Sequence, residues 1–165
     1  MIAIDPNLTG LERVRAALET LDFEARIISP GTPMPTVPLA AEAVGCTVDQ
    51  IIKTVVFATH DRHAVVAIAN GIRRIDRQRL AAAAGVASLK LADPEFVLAT
   101  TGYEAGGVSP IGIRDSRAPI IIDPAVMDQV TVFGGAGTED DLIEIATVDL
   151  LRLTGAQVSP IIRID

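Results

Sequence analysis

Apolar positions recur along this chain with two different periods, and the changes between them divide it into elements. Leu11, Val14, Ala17, Leu18 and Leu21 follow at helical spacing behind Thr9-Gly10-Leu11-Glu12, which has the form of a capping box. That spacing predicts a first helix over 9–21. Residues 25–29 read as a short strand. Pro30-Gly31-Thr32-Pro33-Met34-Pro35 then excludes regular structure, because each proline removes a donor and restrains its predecessor. The Ala-rich stretch 36–44 predicts a second helix, with Pro38 in its first turn and Gly45 at its end. A turn over 48–52 leads into a strand over 53–59, His60-Asp61-Arg62 reverses the chain, and 63–69 returns as the partner strand. Asn70-Gly71 marks a turn into Ile72 to Ile75. Asp76 caps a helix that Gly85 stops, and Asp93-Pro94-Glu95 opens another to about Thr100, after a short strand at 88–91. Beyond the Gly-rich loop 102–112 come strands at 120–123, 129–134 and 142–146, a single turn at 124–127 and a helix over 149–153. Strands cluster as hairpins more than as βαβ units. The pattern predicts one α+β domain over 1–165, with a mixed, mostly antiparallel sheet and helices packed against it.

Composition narrows the classes. Hydrophobic residues make up 49% of the 165 positions and aromatics only 3%, so aliphatic side chains must fill the core. A chain this apolar can offset its ordering entropy, which excludes disorder. Its apolar runs stop far short of the ~20 residues a bilayer needs. Met1-Ile2-Ala3-Ile4-Asp5-Pro6 has neither a basic start nor a long apolar stretch, so no secretory leader is expected. A single cysteine, Cys46, makes no intrachain disulfide, and a cytoplasmic setting is expected. The net charge of −7 argues against gripping nucleic acid by bulk charge. The average conceals an asymmetry. From Lys53 to Lys90 there are seven Lys/Arg and two acids, against seven and nineteen elsewhere. The arginines at 73–79 are either a solvated face or a dock for a few phosphates.

Familiar catalytic machinery is missing: no phosphate-binding loop, no C-x-x-C, no H-E-x-x-H, no G-x-S-x-G. His60 and His63 flank a turn and read as exposed turn residues. Lys53 is the first anomaly. The strand period sets it on one face with Val55 and Phe57, and Thr54 on the other with Val56 and Ala58. An ammonium aligned with apolar groups either snorkels to solvent at the strand's start or meets a ligand. The second anomaly is the run 102–112, with four glycines and a proline. It is either a plain connection or a set of amides aimed at a carbonyl oxygen. The third, Gly134-Gly135-Ala136-Gly137, is a weak phosphate or close-packing signal.

Taken in order, Ile51-Ile52-Lys53-Thr54-Val55-Val56-Phe57, then Gly102-Tyr103 with Gly106-Gly107-Val108-Ser109-Pro110-Ile111-Gly112, then Gly135-Ala136-Gly137 before Asp149-Leu150, resemble the YbaK/prolyl-tRNA deacylase-like family. This editing-domain family is also found inserted in bacterial prolyl-tRNA synthetases. The resemblance runs over 36–165, leaving 1–35 as an N-terminal helix, strand and Pro-rich loop. It implies a free-standing hydrolase that removes a wrong amino acid from tRNA, with water as nucleophile, helped by the substrate's ribose hydroxyl, and neither metal nor other cofactor. By the same resemblance Lys53 contacts the aminoacyl end, and Gly106, Gly107, Ser109 and Pro110 position the ester carbonyl. Thr54, Val108, Gly135 and Gly137 are expected to bind substrate. Two placements rest on rigidity and charge alone: the Pro30–Pro35 loop and the first strand, with Met34 and Thr36, shape the side-chain pocket, and the arginines at 73–79, Arg73, Arg74 and Arg77 among them, meet the tRNA backbone. The implied partners are a tRNA acceptor end and an aminoacyl-tRNA synthetase, with no membrane. Relatives often carry basic residues after the glycine matching Gly137 and a serine near Gly135. Here Thr138-Glu139-Asp140-Asp141 is acidic, which would repel phosphate if it faced the tRNA. A non-catalytic binder of aminoacyl-tRNA or of a small amino-acid-like ligand would use the same pocket. A purely structural partner protein would have none at Lys53.

Overall fold

The computed structural model describes residues 4–164. Met1-Ile2-Ala3, which carry part of the reading against a leader, lie outside them. Helix α1 (Gly10–Thr20) precedes strand β1 (Arg26–Ile28), and α2 (Val37–Val44) leads through a short 3-10 turn at 48–50 into the hairpin of β2 (Ile52–Ala58) and β3 (Ala64–Asn70). Next come α3 (Arg77–Ala84), β4 (Lys90–Leu91) and α4 (Pro94–Thr101). After the long loop follow β5 (Ile120–Ile122), α5 (Pro124–Met127), β6 (Thr131–Gly135), β7 (Leu142–Ala146), α6 (Thr147–Thr154) and β8 (Gln157–Val158).

Caps account for most boundaries. Asp76 accepts the Gln78 and Arg79 amides, Asp93 that of Phe96, and Thr36 Oγ1 that of Leu39. Gly45 and Gly85 end α2 and α3 in the left-handed conformation, at φ 75° and 71°. The expected capping box at Thr9 does not form. Gly10, the first helical residue, sits at φ +60°, and the Thr9 side chain caps nothing. A box does close one turn earlier than β2, where Gln50 Oε1 accepts the Thr47 amide at 3.0 Å.

The strands are divided between two sheets, where the sequence suggested one. Order β1-β7-β6 is antiparallel throughout; order β4-β2-β3-β5-β8 mixes antiparallel pairs with the parallel pairs β3·β5 and β5·β8. A parallel bridge, Ile51 to Phe133, stitches the two together at the start of β2. The period of two distributes the five-stranded sheet between two cores. Ile52, Ile68 and Ile122 face the three-stranded sheet and α1, while Phe57, Val65, Ala67 and Ile121 pack against Leu80 of α3. Central β3 is buried at every position, as a strand covered on both faces must be. Asp123 is buried and accepts the Ile161 and Ile162 amides, which ties the C-terminal segment to the end of β5.

Candidate active site

One edge of β2 is open. The strand pairs with β3 along its whole length, but β4 reaches only Phe57 and Ala58. The Thr59 amide and the Ile51 carbonyl both bond toward β3, so in an antiparallel ladder the odd residues face β3 and Ile52, Thr54 and Val56 point the other way. Val56 uses its carbonyl to accept the Ala92 amide. Thr54 directs its backbone groups into a cleft of about 610 Å³ that follows the open edge.

The cleft gathers residues widely separated in sequence. Lys53, Thr54, Gly106, Val108, Gly135, Met34 and Thr36 line it, with Val37 and Ala40 of α2 on one side and Val97 of α4 on the other. Four candidates lie elsewhere. Gly107 and Gly137 line a smaller concavity alongside, Pro110 lines a third, and Ser109 is fully buried with its hydroxyl accepting the Ile111 amide at 3.2 Å. Arg73, Arg74 and Arg77 are exposed, and the first two adjoin Lys53.

Lys53 resolves its alternatives in an unexpected way. Its ammonium donates to the Arg73 carbonyl rather than to a carboxylate. Partial burial, together with the nearby Arg74 cation, lowers its pKa below the ordinary lysine value. The Thr54 hydroxyl oxygen is shut off from solvent and has no hydrogen-bond partner. A buried polar atom left in this state calls for a ligand or a water.

The glycine loop meets the cleft from the opposite side. Gly106 has φ +95°, and a Cβ there would come within 3.0 Å of the Glu139 carboxylate. Gly107 is needed for another reason: a Cβ would press on the Thr138 backbone at 2.8 Å. A Cβ on Gly135 would collide with the Val108 carbonyl, and one on Gly137 with the Gly10 backbone. The glycines therefore let the loop, the end of β6 and the start of α1 touch backbone to backbone. One expectation is corrected by this. The Gly107 amide is occupied by the Glu104 carbonyl at 3.0 Å, so two consecutive glycine amides do not point at one ligand.

Behind the loop Tyr103, Ser109, Ile111 and Arg13 bond to one another or to the loop backbone. Tyr103, fully buried, donates its hydroxyl to the Ile111 carbonyl, and burial raises its pKa far above the ordinary phenol. Arg13 of α1, only 3% exposed, donates from Nε to the Gly112 carbonyl at 2.6 Å and stacks where a Gly102 side chain would have to be. Helical periodicity assigns Arg13 to a polar position, so nothing in the sequence marks it as buried.

The acidic run does face the cleft. Glu139 and Asp141 line it with Thr138. Asp141 is taken up by the Ser29 and Thr138 hydroxyls. Among the described residues Glu139 enters no ion pair.

A family model described as aminoacyl-tRNA editing domain matches residues 32–153. A protein of Enterococcus faecalis, provisionally named a Cys-tRNA(Pro)/Cys-tRNA(Cys) deacylase, is 31% identical over 121 residues, 73% of either chain. The proline–tRNA ligase of Desulforamulus reducens is 32% identical over 124 residues, 75% of this chain but 21% of that enzyme. The crystal structure of a provisionally assigned trans-editing enzyme for prolyl tRNA synthetase superposes with a TM-score of 0.83 at 31% identity, covering 98% of this chain and 100% of that one. The structural likeness thus extends over the N-terminal helix as well, ahead of the segment that the motifs marked.

Proposed function

Because the chain belongs to the aminoacyl-tRNA editing domain family, we propose that it is a free-standing deacylase that hydrolyses the ester of a mischarged tRNA. The observation that carries this reading is the convergence of Lys53, Thr54, Gly106 and Val108 on one cleft of a size that suits a small ligand. An aminoacyl ester is already activated, so holding it against a water in a fixed geometry supplies much of the required acceleration. In this reading the aminoacyl end lies along the open edge of β2. The Thr54 backbone bonds to it, and the Lys53 ammonium shifts from the Arg73 carbonyl to the developing oxyanion or the terminal ribose. With the Gly107 amide occupied, Ala105, Gly106 and Val108 are the cleft-lining loop residues that could supply backbone donors. The Glu139 carboxylate suits the α-ammonium of the aminoacyl group, which turns the acidic departure from relatives into a substrate contact. Met34, Val37 and Ala40 give the amino-acid side chain an apolar wall. The exposed arginines beside Lys53 meet phosphates of the acceptor end, in the cytoplasm where tRNA is charged, with a prolyl-tRNA synthetase as the companion enzyme.

A panel of mischarged tRNAs tests the proposal. The protein should deacylate at least one of them, and Lys53→Ala should lose about 10²–10³-fold in rate, the scale of one lost oxyanion donor, with an unchanged melting temperature. Tight binding across the panel with no turnover would overturn the enzyme in favour of a binder.

A further inference from the structure

Beyond the C-terminal end of the glycine loop lies the third concavity, the one that Pro110 lines, of about 800 Å³. Its walls are apolar, including Ile113 and Ile120, but Arg13, Arg114 and Arg117 all reach it. Asp115 is the one carboxylate among its lining residues, and it is engaged with Arg117, at 3.8 Å to Nε. Among the described residues Arg13 and Arg114 have only backbone carbonyls as partners: Gly112 and Leu8 for the first, Pro6 for the second. The Arg114 Nε is closed off from solvent with no acceptor among the described residues. Burial and the neighbouring Arg114 cation together depress the pKa of Arg13.

This arrangement is costly if it only holds the fold. A guanidinium withdrawn from water, as Arg13 is, ordinarily meets a carboxylate, and an unpaired donor such as Arg114 Nε forfeits hydration without return. Here like charges converge on one hollow of a protein whose net charge is −7. A doubly charged oxyanion would neutralise them, and the exposed guanidinium of Arg117 can present a fork to it while Arg114 adds charge beside it. The apolar remainder of the wall would cover an uncharged body attached to that anion.

We propose that this concavity binds a phosphate ester on a planar or apolar body, the chemistry of a nucleotide, with the phosphate on Arg114 and Arg117 and the body against Ile113 and Ile120. The site is separate from the candidate active site, and the proposal does not depend on deacylase activity.

Titration with AMP, followed by amide NMR, tests it. AMP should move the resonances of residues 113–118 saturably and leave Thr54 and Val108 in place, and adenosine should bind at least about tenfold more weakly, since charged hydrogen bonds to the phosphate are lost. Arg114→Gln should weaken AMP binding by about tenfold or more. Arg117 is 93% exposed, so Arg117→Glu keeps the fold and decides the matter even if the first variant does not fold. Absence of shifts at about 10 mM AMP, equal binding of adenosine, or affinity unaltered in Arg117→Glu would each overturn the proposal. Uncharged tRNA supplies the last arm. If it moves the same resonances in the wild type and not in Arg117→Glu, the phosphate belongs to RNA; if AMP alone moves them, the ligand is a free nucleotide.

Discussion

The front and the back of the loop at 102–112 are built on opposite principles. At the back, Tyr103, Ser109 and Ile111 are fully buried and hydrogen-bonded to one another, and Arg13 clamps the Gly112 carbonyl. At the front, Gly106 and Val108 face a cleft beside which the buried Thr54 hydroxyl lacks a partner among the described residues and the Lys53 ammonium rests on a backbone carbonyl. Satisfied groups make a rigid support; unsatisfied ones leave bonds for a substrate. The contrast implies that changes at the back act on stability and changes at the front act on rate.

The sharpest break should come where the two meet. Gly135→Ala drives a methyl into the Val108 carbonyl, a backbone group that cannot turn aside. The expected cost is about 3 kcal/mol, the upper end for overpacking, read as a fall in the denaturant midpoint. Activity should fall with it, because Val108 is displaced from the cleft.

That contact also shows where sequence reading stops. The hairpin β2–β3, helices α2 to α4 and their caps were legible because the signals are local: Asp76, Asp93, Gly45 and Gly85 act within one turn. Lys53 could be placed on its strand face, and its meeting with the loop was expected only through the family resemblance. Close packing at Gly135 and Gly137 was one of two readings open in the sequence, but their partners, and the purpose of Gly107, were not legible, since each answers to backbone far away in the chain. Two-residue β8 and the division into two sheets escaped for the same reason. Arg13 escaped because a buried guanidinium bonded to carbonyls looks in sequence like any solvated helix position.

A smaller effect, confined to the back, is expected from Tyr103→Phe. The ring stays, but the Ile111 carbonyl loses its donor inside the core. The cost should be about 1–2 kcal/mol, the penalty for one unsatisfied buried acceptor, measured by chemical denaturation. Turnover per folded molecule should hold. If it instead drops a hundredfold while stability is kept, front and back are not separable.

Lys53 sharpens the comparison through pH. Its pKa in the folded protein lies below the ordinary 10.5. Between those two values the unfolded chain holds one more proton, so stability should rise with pH across that window, and Lys53→Met should abolish the rise. If the ammonium serves the reaction, deacylation, corrected for spontaneous ester hydrolysis, should decline at a lower pH than a free lysine would dictate. Lys53→Arg should carry activity further into alkali.

The smallest effect belongs to the exposed rim. Arg73 and Arg74 lie beside Lys53, yet what Lys53 bonds is the Arg73 carbonyl, which survives truncation of the side chain. The double variant Arg73→Ala/Arg74→Ala should therefore leave kcat and the melting temperature alone and act on tRNA affinity only. If both contact phosphates, the slope of log affinity against log salt should shrink by about 1.4, counting about 0.7 per phosphate of a single strand. Arg15→Ala, an exposed arginine on α1, should not change the slope. An undiminished slope in the double variant would move the RNA contact off this rim and leave Lys53 to serve the ester alone.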